Sequence, residues 1–319
     1  MKKRALITGE TGFAGRYLSN YLNSKGYEVW GLDVVSYPEQ SEQNIVIRTA
    51  DISNNEQIEA VLAECQPDVI YHLAAQSSVA VSWQNPQATM RINLEGTINL
   101  LETVRKLKLD SSILLIGSGE EYGAIKPEDL PIDENQHPNP QNPYALSKLY
   151  QTLLGLHYMR AYNMKIYLAR PFNHTGPGQN TGFVIPDFAS QIAKVEAGLQ
   201  DPVIWVGNLS AKRDFCDVRD VVQAYCAIIE QGQIGRIYNI ASGQAVAIQS
   251  ILDQLLSLST APIQVEIDQQ KLRPVDVPVI YSSISRIKAE TGWQPQIKLH
   301  DTLKDTLEFW RMQVKKEKQ

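Results

Sequence analysis

The sequence predicts an α/β fold, a doubly wound parallel sheet followed by a smaller C-terminal α/β lobe, on three observations. A short apolar strand, Ala5-Leu6-Ile7-Thr8, runs directly into a glycine-rich turn and then an amphipathic helix. Further short apolar runs alternate with helical patterns up to about residue 170, the order that βαβ units require. Beyond that point the alternation breaks into shorter, mixed segments, so a boundary is expected between 1–170 and 171–319. Some strands and helices of the second region are expected to return to the first.

The composition suits this. At 319 residues, 43% hydrophobic and 20% charged, the chain can bury a sizeable core. A net charge of −5 with no basic stripe argues against nucleic acid as a partner. No apolar run approaches the length that crosses a bilayer, so no membrane partner is expected. The start, Met1 to Thr8, leads into a strand rather than a signal peptide, and Cys65, Cys216 and Cys226 have no metal-ligand spacing. A cytoplasmic location and no metal site are the expectations.

After the first strand comes Gly9-Glu10-Thr11-Gly12-Phe13-Ala14-Gly15, then a helix with Leu18, Tyr21 and Leu22 on one face. Glycines let a backbone approach a pyrophosphate, and free N–H groups at a helix start hold its charge. The spacing is GxxGxxG, one residue longer than the commoner GxGxxG. The second strand, Glu28–Asp33, ends in an acid 18 residues beyond Gly15. A carboxylate there accepts from adenosine ribose hydroxyls and repels a 2′-phosphate, which favours NADH over NADPH. A strand-end cap is the plainer reading of Asp33.

A third strand runs from about Asn44, and its tail, Asp51-Ile52, is placed to bracket an adenine. The fourth, Asp68 to Ala75, ends in Leu73-Ala74-Ala75, small enough for a cofactor to lie against the backbone. His72 within it reads as a packed strand residue. A helix over Asn93–Leu107 follows, then a fifth strand, Ser112–Gly117, delivers Ser118-Gly119-Glu120-Glu121-Tyr122-Gly123 at its carboxyl end. Ligands of open parallel sheets bind at that edge. A proline-rich loop, Pro127–Pro143, is long enough to shape a binding mouth.

That loop opens onto Tyr144-Ala145-Leu146-Ser147-Lys148. Tyr144 and Lys148 stand one above the other on a helix face. A phenol with pKa of about 10 is a poor acid or base near neutrality. An ammonium held close is expected to bring that acidity down into a useful range. A lone YxxxK is ordinarily an exposed pair, but the glycine loop and the serine-bearing strand end change the odds.

With these residues in hand, the chain resembles the extended short-chain dehydrogenase/reductase family. The likeness runs through TGETGFAG, HLAAQ, NLEGTINLLE, GSGEEYG, PYALSK, RPFNHTGPGQ, KRDFCDVRDVV and RPVDVP. Gly207-Asn208-Leu209 before Lys212-Arg213-Asp214 is similar to its GDP-mannose branch. The resemblance implies a Rossmann-type NAD(P)-binding domain over 1–170 and a mainly sugar-nucleotide-binding domain over 171–319. It implies that Ser118 and Tyr144 meet the sugar's 4-oxygen, while Lys148 holds the nicotinamide ribose. Gly9, Gly12, Phe13, Ala14 and Gly15 would line the pyrophosphate site, Asp33 the ribose, and Asp51 with Ile52 the adenine. Asn173, Arg213 and Arg273 would take the substrate diphosphate, with Asp276 near its ribose; an arginine fork suits that group.

The motif after the fifth strand separates the reactions of this branch. Its dehydratases pair a Glu, matched by Glu120, with a neighbouring Asp or Ser, and here the neighbour is Gly119. Elimination of water therefore lacks its acid. An epimerase-reductase of the same branch has a cysteine where Glu120 stands. What the resemblance leaves is hydride transfer from NADH or NADPH to the C4 keto group of GDP-4-keto-6-deoxy-D-mannose, giving GDP-D-rhamnose. A nucleotide-sugar 4-epimerase with tightly held NAD is the nearest alternative. The family likeness also implies a homodimer, built on the helices near 93–107 and 144–158.

Overall fold

The computed structural model describes residues 2–35, 45–271 and 277–318. Asn44, Arg273 and Asp276 lie outside these described residues. In chain order, β1 (Arg4–Thr8), α1 (Phe13–Ser24), β2 (Glu28–Asp33), β3 (Ile45–Thr49), α2 (Asn55–Cys65) and β4 (Val69–His72) come first. They are followed by α3 (Val79–Gln84), α4 (Pro86–Met90), a π-helical turn over Arg91–Glu95, α5 (Gly96–Lys106), β5 (Ser112–Ile116), α6 (Pro143–Tyr162) and β6 (Lys165–Pro171). Next are β7 (Asn173–Thr175), α7 (Val184–Glu196), β8 (Val203–Val206), β9 (Lys212–Arg213), β10 (Phe215–Asp217), α8 (Val218–Gln231) and β11 (Ile237–Ile240). The chain ends with β12 (Val246–Ala247), α9 (Ile248–Ser257), β13 (Gln264–Ile267), β14 (Val279–Ile280), α10 (Ser285–Thr291) and α11 (Leu299–Glu317).

Seven strands form one parallel sheet in the order β11-β6-β5-β4-β1-β2-β3. Side chains on alternate positions of β1 serve its two faces, as a period of two requires. Ala5 and Ile7 join a core with Leu18, Leu22, Val221, Tyr225 and Ile228 of α1 and α8. Leu6 joins the opposite core, with Ile58, Leu62, Leu100 and Tyr158 of α2, α5 and α6. Both faces are covered, which explains why the strands read as nearly continuous apolar runs. The strand order reverses between β1 and β4, and the crevice at their carboxyl ends is where such sheets bind ligands.

The segment Arg236–Ala241 contributes β11, which pairs with β6 at the edge of this sheet. A third core lies around α7, α9 and α11, and includes Phe188, Ile192, Ile251, Leu252 and Leu307. The proline-rich loop is pinned to this side of the molecule. Ile132, buried, donates its N–H to the Tyr281 carbonyl at 3.1 Å and accepts from Ser283 N–H at 2.8 Å. No described helix is long and apolar enough to cross a membrane, and no group of His, Cys, Asp or Glu among the described residues could hold a metal ion.

Candidate active site

The glycine turn is shaped by two close approaches and an uncapped helix start. Gly9 has φ of +74°, and a Cβ there would lie 2.8 Å from the Ala74 nitrogen, so β1 and the end of β4 touch backbone to backbone. A Cβ on Gly15 would lie 2.3 Å from the Gly9 carbonyl oxygen. Gly12, at the N-cap of α1, offers no side chain to cap the helix, so its first-turn N–H groups face outward without a side-chain partner. Such a cradle fits a pyrophosphate, held by N–H groups and the positive helix end. Phe13 and Ala14 follow in that turn, and the Phe13 ring stacks on His174 at 6.0 Å. Leu73 and Ala74 continue from β4, their N–H groups bonded to the Thr8 carbonyl at 3.1 Å and the Thr8 hydroxyl at 3.1 Å. Ala75 is the next residue along the same strand end.

Asp33 stands at the carboxyl end of β2 and is tied to the glycine turn. Its Oδ2 accepts from the Thr11 hydroxyl at 2.6 Å and Thr11 N–H at 3.2 Å, and its Oδ1 from Val34 N–H at 2.7 Å. It is thus both a strand-end cap and a half-exposed carboxylate beside the cradle. Asp51 is exposed and accepts from Ser53 N–H and hydroxyl, each at 2.8 Å. Ile52 is buried in the core, where a Cβ on Gly96 would lie 2.7 Å from its Cγ2. Its side chain packs against α5. His72 is a packed strand residue, bonded to Thr8 at 2.8 Å and Thr97 at 2.9 Å, and burial pushes its pKa down to about 3.

Tyr144 and Lys148 lie on the first turns of α6, which starts with Asn142 as N-cap and Pro143 at its first position. Asn142 Oδ1 accepts from Ala145 N–H at 2.8 Å, and its Nδ2 donates to Glu120 Oε2 at 3.1 Å. The cap therefore sets the start of the helix and steadies Glu120, which is exposed. The Lys148 ammonium is buried and donates to the Ile116 carbonyl at 2.8 Å and Gln151 Oε1 at 3.0 Å. Two of its three donors are used, leaving one. Burial lowers its pKa to about 8, with the Glu121 carboxylate pulling upward.

The expected lowering of Tyr144 by Lys148 does not show in the protein alone. Burial pushes the phenol above its ordinary value, and Glu120 and Glu121 add to that. Only hydrogen bonding with the neighbouring Ser118 hydroxyl acts downward. The Lys148 ammonium donates to the Ile116 carbonyl at the end of β5 and to Gln151.

Ser118 follows β5 and caps the short 3₁₀ turn Gly119–Tyr122. Its Oγ accepts from Glu120 N–H at 3.1 Å, while Glu121 reaches back to the Ser118 N–H at 2.9 Å. Gly119 packs face-on against Phe172, whose ring atoms lie 3.0–3.1 Å from where a Cβ would be. A side chain at 119 needs that ring to give by a few tenths of an ångström.

On the far side, β7 pairs with β10 so that Asn173 stands opposite Phe215, two residues beyond Arg213 of β9. Asn173 Nδ2 donates to the Asp214 carbonyl at 3.2 Å, and the Arg213 guanidinium bonds the Lys212 carbonyl at 2.8 Å. Buried Asp214 accepts from Ser242 N–H and hydroxyl at 2.6 Å each and from Gly243 N–H at 3.0 Å, fixing this corner. Gly207, Asn208, Leu209 and Gln249 line a cavity of about 590 Å³ nearby in the chain. Two buried oxygens in the Asn173–Gln179 stretch, Thr175 Oγ1 and Gln179 Oε1, have no hydrogen-bond partner.

Sequence reasoning passed over Asn93. It sits in the π-helical turn, donates to the Ser147 hydroxyl at 2.8 Å and the Gln76 carbonyl at 3.1 Å, and accepts from Gln76 N–H at 2.8 Å. It thereby fastens the segment after β4 to α6 beside Tyr144. The π turn is the signal, since such turns concentrate at functional sites, but periodicity alone reads through it as ordinary helix.

Fold and site together define a short-chain dehydrogenase/reductase of the extended, nucleotide-sugar type. The chain belongs to the GDP-mannose 4,6 dehydratase family, whose model matches residues 6–306. It is 34% identical to GDP-6-deoxy-D-mannose reductase from Pseudomonas aeruginosa, over 99% of this chain and 100% of that one. It is 28% identical to a GDP-mannose 4,6-dehydratase from Vibrio cholerae, over 94% of this chain and 92% of the relative. Among solved structures it is similar to RMD from Pseudomonas aeruginosa complexed with NADPH, with TM-score 0.87, 32% identity, and coverage of 98% and 100%. UDP-glucose 4-epimerase from Thermotoga maritima with UDP-glucose matches with TM-score 0.85, 26% identity, and coverage of 98% and 99%.

Proposed function

We propose that this protein reduces the C4 keto group of GDP-4-keto-6-deoxy-D-mannose with NADH or NADPH, giving GDP-D-rhamnose. The observation that carries this reading is the serine–tyrosine–lysine constellation beside Gly119, a position without a side chain that packs tightly on Phe172. It holds the groups for carbonyl reduction and offers no second acid at 119. The full-length likeness to a GDP-6-deoxy-D-mannose reductase supports the same choice.

The glycine cradle, Asp33 and the Leu73–Ala75 strand end hold the dinucleotide, which when bound supplies hydride to C4. Tyr144 gives its proton to the sugar's 4-oxygen. A phenol pushed upward by burial keeps that proton through neutral pH, as a general acid must. The Ser118 hydroxyl donates to the same oxygen as negative charge builds. Lys148 uses its remaining N–H on the nicotinamide ribose, while the Ile116 carbonyl and Gln151 fix its direction. Asn173, Arg213 and Arg273 hold the substrate diphosphate, Asp276 its ribose, and Glu120 the sugar.

Residues 1–170 thus serve mainly the dinucleotide and 171–319 the sugar nucleotide. We further infer a homodimer through α5 and α6, supported by Ile98, Tyr150, Leu153 and Tyr162, which stand exposed on those helices. Three unpaired thiols among the described residues suit the reducing cytoplasm. A 4-epimerase reading draws on the same constellation and the likeness to UDP-glucose 4-epimerase. Stoichiometry separates the two: a reductase consumes one NAD(P)H per sugar, whereas an epimerase turns over without added cofactor.

A further inference from the structure

Glu121 has no exposed surface and lies where β5, α6 and β6 meet. Its Oε1 accepts the Ser118 N–H at 2.9 Å. Its Oε2 accepts from Arg170 Nε and Nη2, both at 2.8 Å, and the Thr152 hydroxyl donates to Oε2 at 3.1 Å. Thr152 stands one turn beyond Lys148 on α6. Arg170, itself 2% exposed, lies over the Tyr122 ring at 4.7 Å. Gly117 is what makes the space, since a Cβ there would fall 2.2 Å from Glu121 Oε1.

We propose that Glu121 is a positioning residue for the reduction: its carboxylate clamps the Ser118 backbone to α6 and β6 and so fixes the serine hydroxyl against Tyr144. A buried ion pair contributes little net stability, because an apolar pair of similar volume serves as well or better. What an apolar pair does not do is accept a backbone N–H from the turn that carries Ser118. The charge has a second consequence at the same place, raising the proton affinity of both Lys148 and Tyr144. The charged and titratable groups facing it are Glu120 and Tyr122 from its own turn, Tyr144 and Lys148 from α6, and Arg170 from β6.

This rests on the reductase reading, and the test separates the two. In E121L/R170L neither charge is left buried alone. The variant is expected to unfold near the wild-type temperature and to keep its KM for the keto sugar and for NAD(P)H. Its kcat falls about 10²-fold, the scale of an ångström's misplacement, and amide exchange over residues 117–123 accelerates. Should that variant not fold, E121Q carries the test. It is expected to lose kcat with unchanged KM and to move the alkaline limb of its pH profile downward. A folded double variant with kcat within about threefold of wild type, or an E121Q enzyme with wild-type kcat and pH profile, overturns the proposal. If wild type itself fails to reduce the keto sugar, the reductase reading falls. Exchange over 117–123 then still decides the clamp: acceleration in the variants upholds it, and unchanged protection overturns it.

Discussion

The Lys148 ammonium donates to the main-chain oxygen of Ile116 at 2.8 Å, joining the catalytic helix to the end of β5. With the bond to Gln151 Oε1 at 3.0 Å, it holds the ammonium in the interior, where Lys148 is 3% exposed.

That burial has a measurable signature in stability. Lys148 falls from 10.5 to about 8 on folding, so between those values the unfolded chain binds the proton and the folded one does not. Stability contributed by this group therefore rises with pH across about 8 to 10.5, and is at its lowest below 8. The shift corresponds to about 3 kcal/mol. Unfolding of wild type and K148M, compared over that window, should show a rising difference in the wild type's favour. Parallel curves would contradict it.

Tyr144→Phe should bind both ligands with little change and lose about 10²–10⁴-fold in kcat, the usual range for a general acid. Because burial holds the phenol above its ordinary value, kcat for reduction in wild type should stay flat from about pH 6 to 9 as far as this group is concerned. Steady-state oxidation of NAD(P)H checks both. An acidic phenol, in contrast, would make reduction fade already near neutrality.

Asp33, held by Thr11 and Val34, sets a carboxylate at the end of β2, where we propose it meets the adenosine ribose and repels a 2′-phosphate. Wild type should favour NADH over NADPH in kcat/KM. Asp33→Asn, which removes the charge and one of the two acceptor oxygens, should move that ratio toward NADPH by about tenfold, or about 1.4 kcal/mol. Equal ratios in the two proteins would remove Asp33 from cofactor choice.

Gly119→Asp puts a carboxylate where dehydratases of this branch have an acid, yet its Cβ meets the Phe172 ring at 3.0 Å. Overpacking of this kind costs about 1–3 kcal/mol. The variant should melt earlier, lose reductase activity and gain no elimination from GDP-mannose. Release of the 4-keto sugar from GDP-mannose would show that the site tolerates the second acid after all.

Much of the site can be read from residues alone, because strand ends and glycine turns carry their meaning locally. Gly9, Gly15, Asp33, Ser118 and the Tyr144–Lys148 pair all sit at the carboxyl edge that strand–turn–helix order predicts. What escapes is tertiary. Glu121 acquires its partner only when β6 brings Arg170 against it. Where a buried ammonium finds its acceptors also has no signature in spacing. The place of Ile237–Ile240 at the edge of the large sheet is likewise set by pairing with β6, not by its own pattern.

Isotope transfer tests the proposed reaction most directly. Incubate the protein with GDP-4-keto-6-deoxy-D-mannose and NADH or NADPH deuterated at the nicotinamide C4, and examine the sugar by NMR. Carbonyl reduction predicts one deuterium on C4 of GDP-D-rhamnose for each cofactor oxidised. Unlabelled, isomerised sugar with the cofactor unconsumed would contradict it.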